Sequence, residues 1–411
     1  MQYKIFAQIP AYRDPELPKT INHLLQNAKN PDQIKIGICH QYHDNDEYIK
    51  ELNKLKHLHN IKMINIPYHK SRGLGWARSL TNNLFGDEKY YLQLDSHHRF
   101  AENWDEYLID ILESLNDEKA IVSGYPFSYK PEKELDKYVP SNERCLQNIV
   151  IKFVDTNNIL QRRPEHIRHK ESPFRAKFIA GGCLFTYGTF VNDVPSDPQI
   201  FFNEEVPMSV RAFTHGYNLY HPHLNVIWHE YVRKDKHKFW YDEETKKIHA
   251  NLSKTTRQRI DKLLFNKGDV DLGKYGLGNV RSLDDYKAYA GIDFVNKIIH
   301  PDTLQHKESP IYDSTKVKKI NKKKIEINKK IGDFRKRLNK LDDNTINFID
   351  MHVLSIHNSV IHHKRYTHIS GWKDKQTFNK DIICDEEPWK LCLSINVLKP
   401  TAKNFVFEYI L

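Results

Sequence analysis

Long apolar runs are missing from this sequence. No stretch approaches the roughly 18–20 residues that a membrane-spanning helix requires, which argues against a spanning chain. The opening residues, Met1 to Pro10, have neither the length nor the charge order of a secretory leader. Cysteine is scarce: Cys39, Cys145, Cys183, Cys384 and Cys392 are odd in number and include no C-x-x-C pair. Reduced thiols in a cytoplasmic setting are therefore expected, and no zinc site stands out. A glycine-rich phosphate loop is lacking too, since Gly268, Gly273, Gly276 and Gly278 fit no phosphate-binding fingerprint.

What is present is an ordinary globular composition. With 411 residues, 39% hydrophobic and 12% aromatic, the chain can bury a large core and suits two domains better than one. The net charge of +10 is a local feature. Between Lys316 and Lys340, twelve Lys or Arg stand against two acids, Glu326 and Asp333. That segment carries the whole excess, so the basicity says little about the substrate of the rest.

Through the first half, short apolar runs alternate with amphipathic stretches, the pattern of an α/β fold with a largely parallel sheet. Strands are expected over Lys4–Ile9, Ile34–Cys39, Ile61–Ile66, Tyr90–Leu94 and Ala120–Gly124, with helices over Gly75–Leu84 and Trp104–Leu115. Thr20, Leu24 and Ala28 mark one face of an earlier helix. Farther on, Ile149–Val154 and Phe178–Tyr187 read as strands, and Val206 to Gly216 as a helix. In the basic segment, Val317, Ile320, Ile327, Ile331, Phe334 and Leu338 recur at helical spacings. They predict one long basic helix with a narrow apolar seam, which makes a homo-oligomer plausible. After Thr345 the pattern alternates, predicting a small β-rich domain. The expected plan is an α/β domain over 1–305, a basic helical linker over 306–340 and a β-rich accessory domain over 341–411.

The chemistry concentrates at Tyr90-Tyr91-Leu92-Gln93-Leu94-Asp95-Ser96-His97-His98. An apolar strand runs straight into a carboxylate, with an imidazole two residues later. In extended chain, positions i and i+2 point the same way, so Asp95 and His97 can address one ion. Ligands of open α/β sheets gather at the carboxyl ends of strands, where this pair falls. A divalent ion there would neutralise charge on a departing diphosphate. The same residues also suit a strand-end carboxylate capping a turn, with both imidazoles at the surface. His229, within Trp228-His229-Glu230, would complete a set of one carboxylate and two imidazoles that accepts Mn2+ more readily than Ca2+. Alternatively it is a core histidine. Glu204 and Glu205 begin a helix, either as dipole-stabilised acids or as a carboxylate facing a reacting hydroxyl or sugar carbon. Arg78 falls one turn inside the helix after Gly73 and Gly75, able to pair with phosphate. Gly181-Gly182 reads as a tight turn or as backbone touching a sugar.

In order along residues 1–300, these segments resemble one family. Ala11-Tyr12-Arg13-Asp14-Pro15, Gly75-Trp76-Ala77-Arg78, Asp95-Ser96-His97, Gly181-Gly182, Glu204-Glu205, Arg211, Thr214-His215-Gly216-Tyr217 and His229 are similar to glycosyltransferase family 60, the polypeptide α-N-acetylglucosaminyltransferases. The resemblance implies a GT-A (Rossmann-like, nucleotide-diphospho-sugar transferase) fold, a UDP-sugar donor such as UDP-GlcNAc, Mn2+ or Mg2+, and retention of anomeric configuration. It places Ala11, Tyr12 and Arg13 at uridine and Arg78 at the nucleotide. It places Asp95, His97 and His229 at the metal, Gly181 and Gly182 at the donor, and Glu204 or Glu205 at the reacting centre. The family often carries Gly-Pro-Cys where this chain has Gly73-Leu74-Gly75, and its pattern does not extend past about 305.

Three functions are therefore weighed. The first is a metal-dependent glycosyltransferase acting on a protein or glycan hydroxyl, with no nucleic-acid partner. The second is a degenerate enzyme fold carrying a basic-helix module for nucleic acid or anionic membrane, with peripheral membrane association through 316–340. The third, a metal-dependent hydrolase, ranks low because Arg13 and Arg78 suit donor recognition better than water activation.

Overall fold

The computed structural model describes residues 3–411 apart from 56, 136, 143, 155–158, 234–235, 311–322, 343–344, 356–359, 368–369, 385–387 and 398–403. The chain divides into two compact units, Met1–Ile149 with Phe153–Tyr286, and Val150–Lys152 with Lys287–Leu411.

Strands of the first unit, in chain order, are β1 (Ile5–Tyr12), β2 (Ile34–Tyr42), β3 (Ile61–Pro67), β4 (Tyr90–Leu94), β5 (His98–Phe100), β6 (Ala120–Ser123) and β7 (Phe127–Ser128). After them come β8 (Arg144–Val154), β9 (Ile159–Arg168), β10 (Phe174–Arg175), β11 (Cys183–Tyr187), β12 (Asn218–His221) and β13 (Ile227–His229). Eight of them form one mixed sheet in the order β10-β12-β6-β11-β4-β1-β2-β3. β3, β2, β1 and β4 run parallel, and β11 enters antiparallel between β4 and β6. Every residue of β4 is buried, as expected for an unbroken apolar strand covered on both faces.

Helices α1 (Leu17–Gln26), α2 (Leu74–Asn82), α3 (Trp104–Glu113), α4 (Glu205–Thr214) and α5 (Glu243–Phe265) accompany the sheet. α1 buries Leu17, Thr20, Ile21 and Leu24, one stripe at helical spacing. α2 starts after Gly73, whose φ of +94° favours glycine. A Cβ on Gly75 would come within 2.3 Å of the Ile200 carbonyl and 2.4 Å of the Asp197 carbonyl. The two glycines flanking Leu74 thus admit this helix start against the 197–200 segment.

A second sheet, β5-β13-β7, decides the site. β5 and β13 are antiparallel with His98 opposite His229, so the chain after Asp95 meets the end of β13. The expected strand Phe178–Tyr187 is shorter: the Gly181-Gly182 turn breaks it, and only Cys183–Tyr187 pairs with β4.

In the second unit, Ile346–Ser355, Pro388–Val397, Val360–Tyr366 and Phe405–Ile410 form a four-stranded sheet. Its apolar face packs on Ile327, Ile331, Phe334, Leu338, Trp372 and Phe378. The long basic helix is not what forms. Lys323–Lys330 is a strand paired antiparallel with Thr377–Cys384, and a short helix, Gly332–Leu338, follows. The apparent seam joined two periods. Ile331, Phe334 and Leu338 keep helical spacing, whereas Lys323–Lys330 gains its hydrogen bonds from a strand some fifty residues downstream, a partner that local periodicity does not register. Val317, Ile320 and Ile356 lie outside the described residues. Among the described residues no helix is long and apolar enough to cross a membrane, and Cys39, Cys145, Cys183 and Cys392 are free thiols.

Candidate active site

β4 delivers Asp95, the following turn delivers His97, and β13 delivers His229. One ligand atom from each can be chosen so that all three lie within 4.8 Å of one another. His229 Nε2 is 3.3 Å from Asp95 Oδ2, and the rings of His97 and His229 are 4.6 Å apart. His97 Nδ1 meets the buried Asp14 carboxylate at 2.8 Å, which leaves Nε2 free for an ion. An imidazole held from behind by a carboxylate is the usual support of a metal-binding histidine. The donor set therefore fits a divalent metal ion.

Electrostatics keep the set competent for binding. Burial alone would raise the Asp95 pKa, but the His229 hydrogen bond and the Arg78 charge hold it well below the ordinary carboxylate value. Burial lowers the His229 pKa, so the neutral imidazole is favoured. Asp14 is likewise held low despite its burial, by the His97 hydrogen bond and by Arg233, whose Nη2 is 3.0 Å away.

His98 links the two ligand-bearing segments. It is fully buried; its Nε2 accepts the Asp95 N–H at 3.2 Å and its Nδ1 donates to the Trp228 carbonyl at 3.0 Å. Both bonds require one neutral tautomer, and burial lowers its pKa strongly in agreement. Thr20 of α1 fixes the same turn by donating to the Ser96 carbonyl at 2.9 Å and accepting the His98 N–H at 2.9 Å.

Arg78 is buried and turned toward the protein. It donates to Gln8 Oε1 (3.1 Å), the Leu94 carbonyl (3.2 Å), Asp95 Oδ1 (2.9 Å) and the Gly181 carbonyl (2.9 Å). It thereby ties Asp95 to the Gly181-Gly182 turn. Both glycines bring the turn close to carboxylates: a Cβ on Gly181 would lie 2.5 Å from Glu204 Oε1, and one on Gly182 would lie 2.8 Å from Asp95 Oδ2.

The adjacent glutamates differ sharply. Glu205 accepts the Gly181 N–H at 2.8 Å and the Tyr125 hydroxyl at 3.0 Å, and pairs with Arg162 of β9 at 2.5 Å. No side-chain hydrogen bond or ion pair holds Glu204 among the described residues. Burial, and next the Glu205 charge, push the Glu204 pKa up to about 7.

At the end of β1, Arg13 has a φ of +46° and pairs with Asp46 (2.9 Å) and Asp242 (3.3 Å). Tyr12 donates to Asp242 Oδ2 at 2.8 Å, and the carbonyl of buried Ala11 accepts from Gln41 Nε2 at 3.2 Å. Sequence reasoning gave no role to Asp14, His98, Arg162 or Asp242. A signal existed only for His98, because strand alternation turns it away from the side that carries His97.

The sheet order and the polar cluster at the carboxyl end of β4 are those of an α/β fold that takes its ligand at the strand ends. More specifically, the chain belongs to the glycosyltransferase (GlcNAc) family, whose model matches residues 4–58 and 47–296. Among solved structures it is similar to GalNAc-T7 with UDP, GalNAc and Mn2+, at 13% identity and a TM-score of 0.49, over 73% of this chain and 59% of that one. The chain thus spans less than two thirds of that relative. It is also similar to TarS 1-349 of S. aureus with UDP-GlcNAc, at 9% identity and a TM-score of 0.41, over 72% of each chain. A third is the mannosyltransferase PcManGT of Pyrobaculum calidifontis with GDP-Man and Mn2+, at 10% identity and a TM-score of 0.39, over 74% of this chain and 72% of that one. No curated protein matches the sequence.

Proposed function

We propose that this glycosyltransferase uses a UDP-sugar, UDP-GlcNAc foremost, and transfers the sugar with retention to a hydroxyl of a protein or glycan. The observation that carries the reading is the convergence of Asp95, His97 and His229 beside a glutamate left without a side-chain partner. A divalent ion bound by those three residues would neutralise charge developing on the departing diphosphate.

The chain's own groups have separable tasks. Asp14 and Arg78 orient His97 and Asp95 from behind. The Gly181-Gly182 turn lets the sugar approach the backbone closely. Glu204 faces the reacting centre, where a pKa of about 7 suits it to take up a hydroxyl proton near neutral pH. Glu205 holds the turn instead of reacting. Ala11, Tyr12 and Arg13 form the nucleoside end, where Asp242 fixes the tyrosine hydroxyl and the guanidinium. The likeness to family 60 favours GlcNAc and retention.

The test is a panel of nucleotide sugars with Mn2+, scored by thermal shift and by transfer. UDP-GlcNAc should stabilise most, and chelator or Asp95→Asn should abolish both signals. Full transfer in chelator overturns the metal role. Preference for UDP-Glc or UDP-Gal overturns the donor.

A further inference from the structure

Behind Glu204 and Arg78, which share its wall with the site just described, a cavity of about 40 Å³ lies among α2, α4 and α5, with Asp197, Arg211, Arg259 and Tyr275 on its far side. Its charges do not balance. Arg259 Nε takes the Asp197 carboxylate at 2.7 Å. Arg211 has no carboxylate within ion-pair distance among the described residues. It donates to peptide carbonyls alone, Pro195 at 2.9 Å, Gly276 at 3.4 Å and Lys274 at 3.5 Å. Those bonds use three of its five N–H groups. Both guanidiniums also lie over the Tyr275 ring, 5.9 and 5.7 Å from its centroid, so two like charges share one ring. Arg211 and Arg259 are each only 4% exposed. A buried cation without a counter-charge is costly, and burial pulls the Arg211 pKa down to about 10.

We propose that this cavity binds one small monovalent anion, a halide or a short carboxylate, seated on Arg211 and flanked by Arg259. The volume is that of about three waters, enough for chloride with a water or for planar acetate, and too small for a sugar phosphate. Apolar side chains of Leu263, Leu272 and Met208 complete the wall, and a less polar surround strengthens the attraction. The anion supplies the charge that the protein leaves out.

The test is thermal unfolding of the full-length, metal-free protein at constant ionic strength, with chloride or acetate replacing gluconate, an anion too large for the cavity. A saturable rise of about 2–4 °C is expected at ten times the dissociation constant, and it should disappear in Arg211→Met. Arg211→Lys, which keeps the charge but not the fork, should show a reduced rise if the methionine variant does not fold. Chloride against acetate separates the two sources, and bromide soaked into crystals should scatter anomalously beside Arg211. Equal melting in all anions overturns the proposal, as does a rise that survives Arg211→Met. Neither donor nor metal enters the measurement, so failure here leaves the transferase reading untouched.

Discussion

Neighbours in sequence, Glu204 and Glu205 are opposites in chemistry, and two substitutions should separate them. Glu204 ionises near 4.5 when unfolded and near 7 when folded. Between those values the native state holds a proton that the unfolded chain has released, so stability falls as pH rises through the window and stays lost above it. Glu204→Gln is neutral at every pH. It should melt above wild type at pH 8 and level with it at pH 4.5, while transfer drops by about 100-fold or more. Equal melting at pH 8 would show that the carboxyl is not held protonated. Glu205→Gln should act the other way: it leaves the buried Arg162 unpaired and costs about 3 kcal/mol. The double variant with Arg162→Met should recover part of that loss in a double-mutant cycle.

At the scale of elements, legibility followed locality. β4 and the Asp95 that follows it were readable because a run of four apolar residues and one glutamine ends abruptly at a carboxylate and needs no partner to be recognised. His229 could be singled out only by type and by resemblance. What brings it to Asp95 is the β5–β13 pairing, formed by residues about 130 apart, and three-residue strands carry almost no periodic signal. Arg78 was placed on the right helix, but sequence shows only a cation one turn in, not the buried acceptors that surround it. The basic segment failed for a related reason, since a strand near 323–330 is chosen by its distant partner. His98 tests whether the β5–β13 junction matters. It holds the Asp95 N–H and the Trp228 carbonyl together, so His98→Phe should weaken Mn2+ binding about 10- to 100-fold. Calorimetric titration with unchanged far-UV circular dichroism would show this, and unaltered affinity would reduce His98 to filler.

For the whole molecule, charge and chemistry occupy different parts of the chain. Every residue proposed for donor or metal lies in the first unit, Met1–Ile149 with Phe153–Tyr286, while the net excess of positive charge comes from 316–340 in the second. The basic segment and the transfer reaction should therefore be separable without deleting anything. Lys330, Lys336 and Lys340 are exposed, and neutralising them disturbs neither the packing of Ile327, Ile331, Phe334 and Leu338 nor the strand pairing. Replacing all three with Gln removes three of the excess positive charges. Mn2+ affinity and donor hydrolysis should stay within about twofold of the parent, the change expected of exposed surface substitutions. Donor hydrolysis that falls in the triple variant would mean that the basic segment takes part in the reaction. Transfer to acceptor that falls while hydrolysis holds would instead place acceptor recognition in the second unit, a role its sheet could fill and the first unit's chemistry does not require.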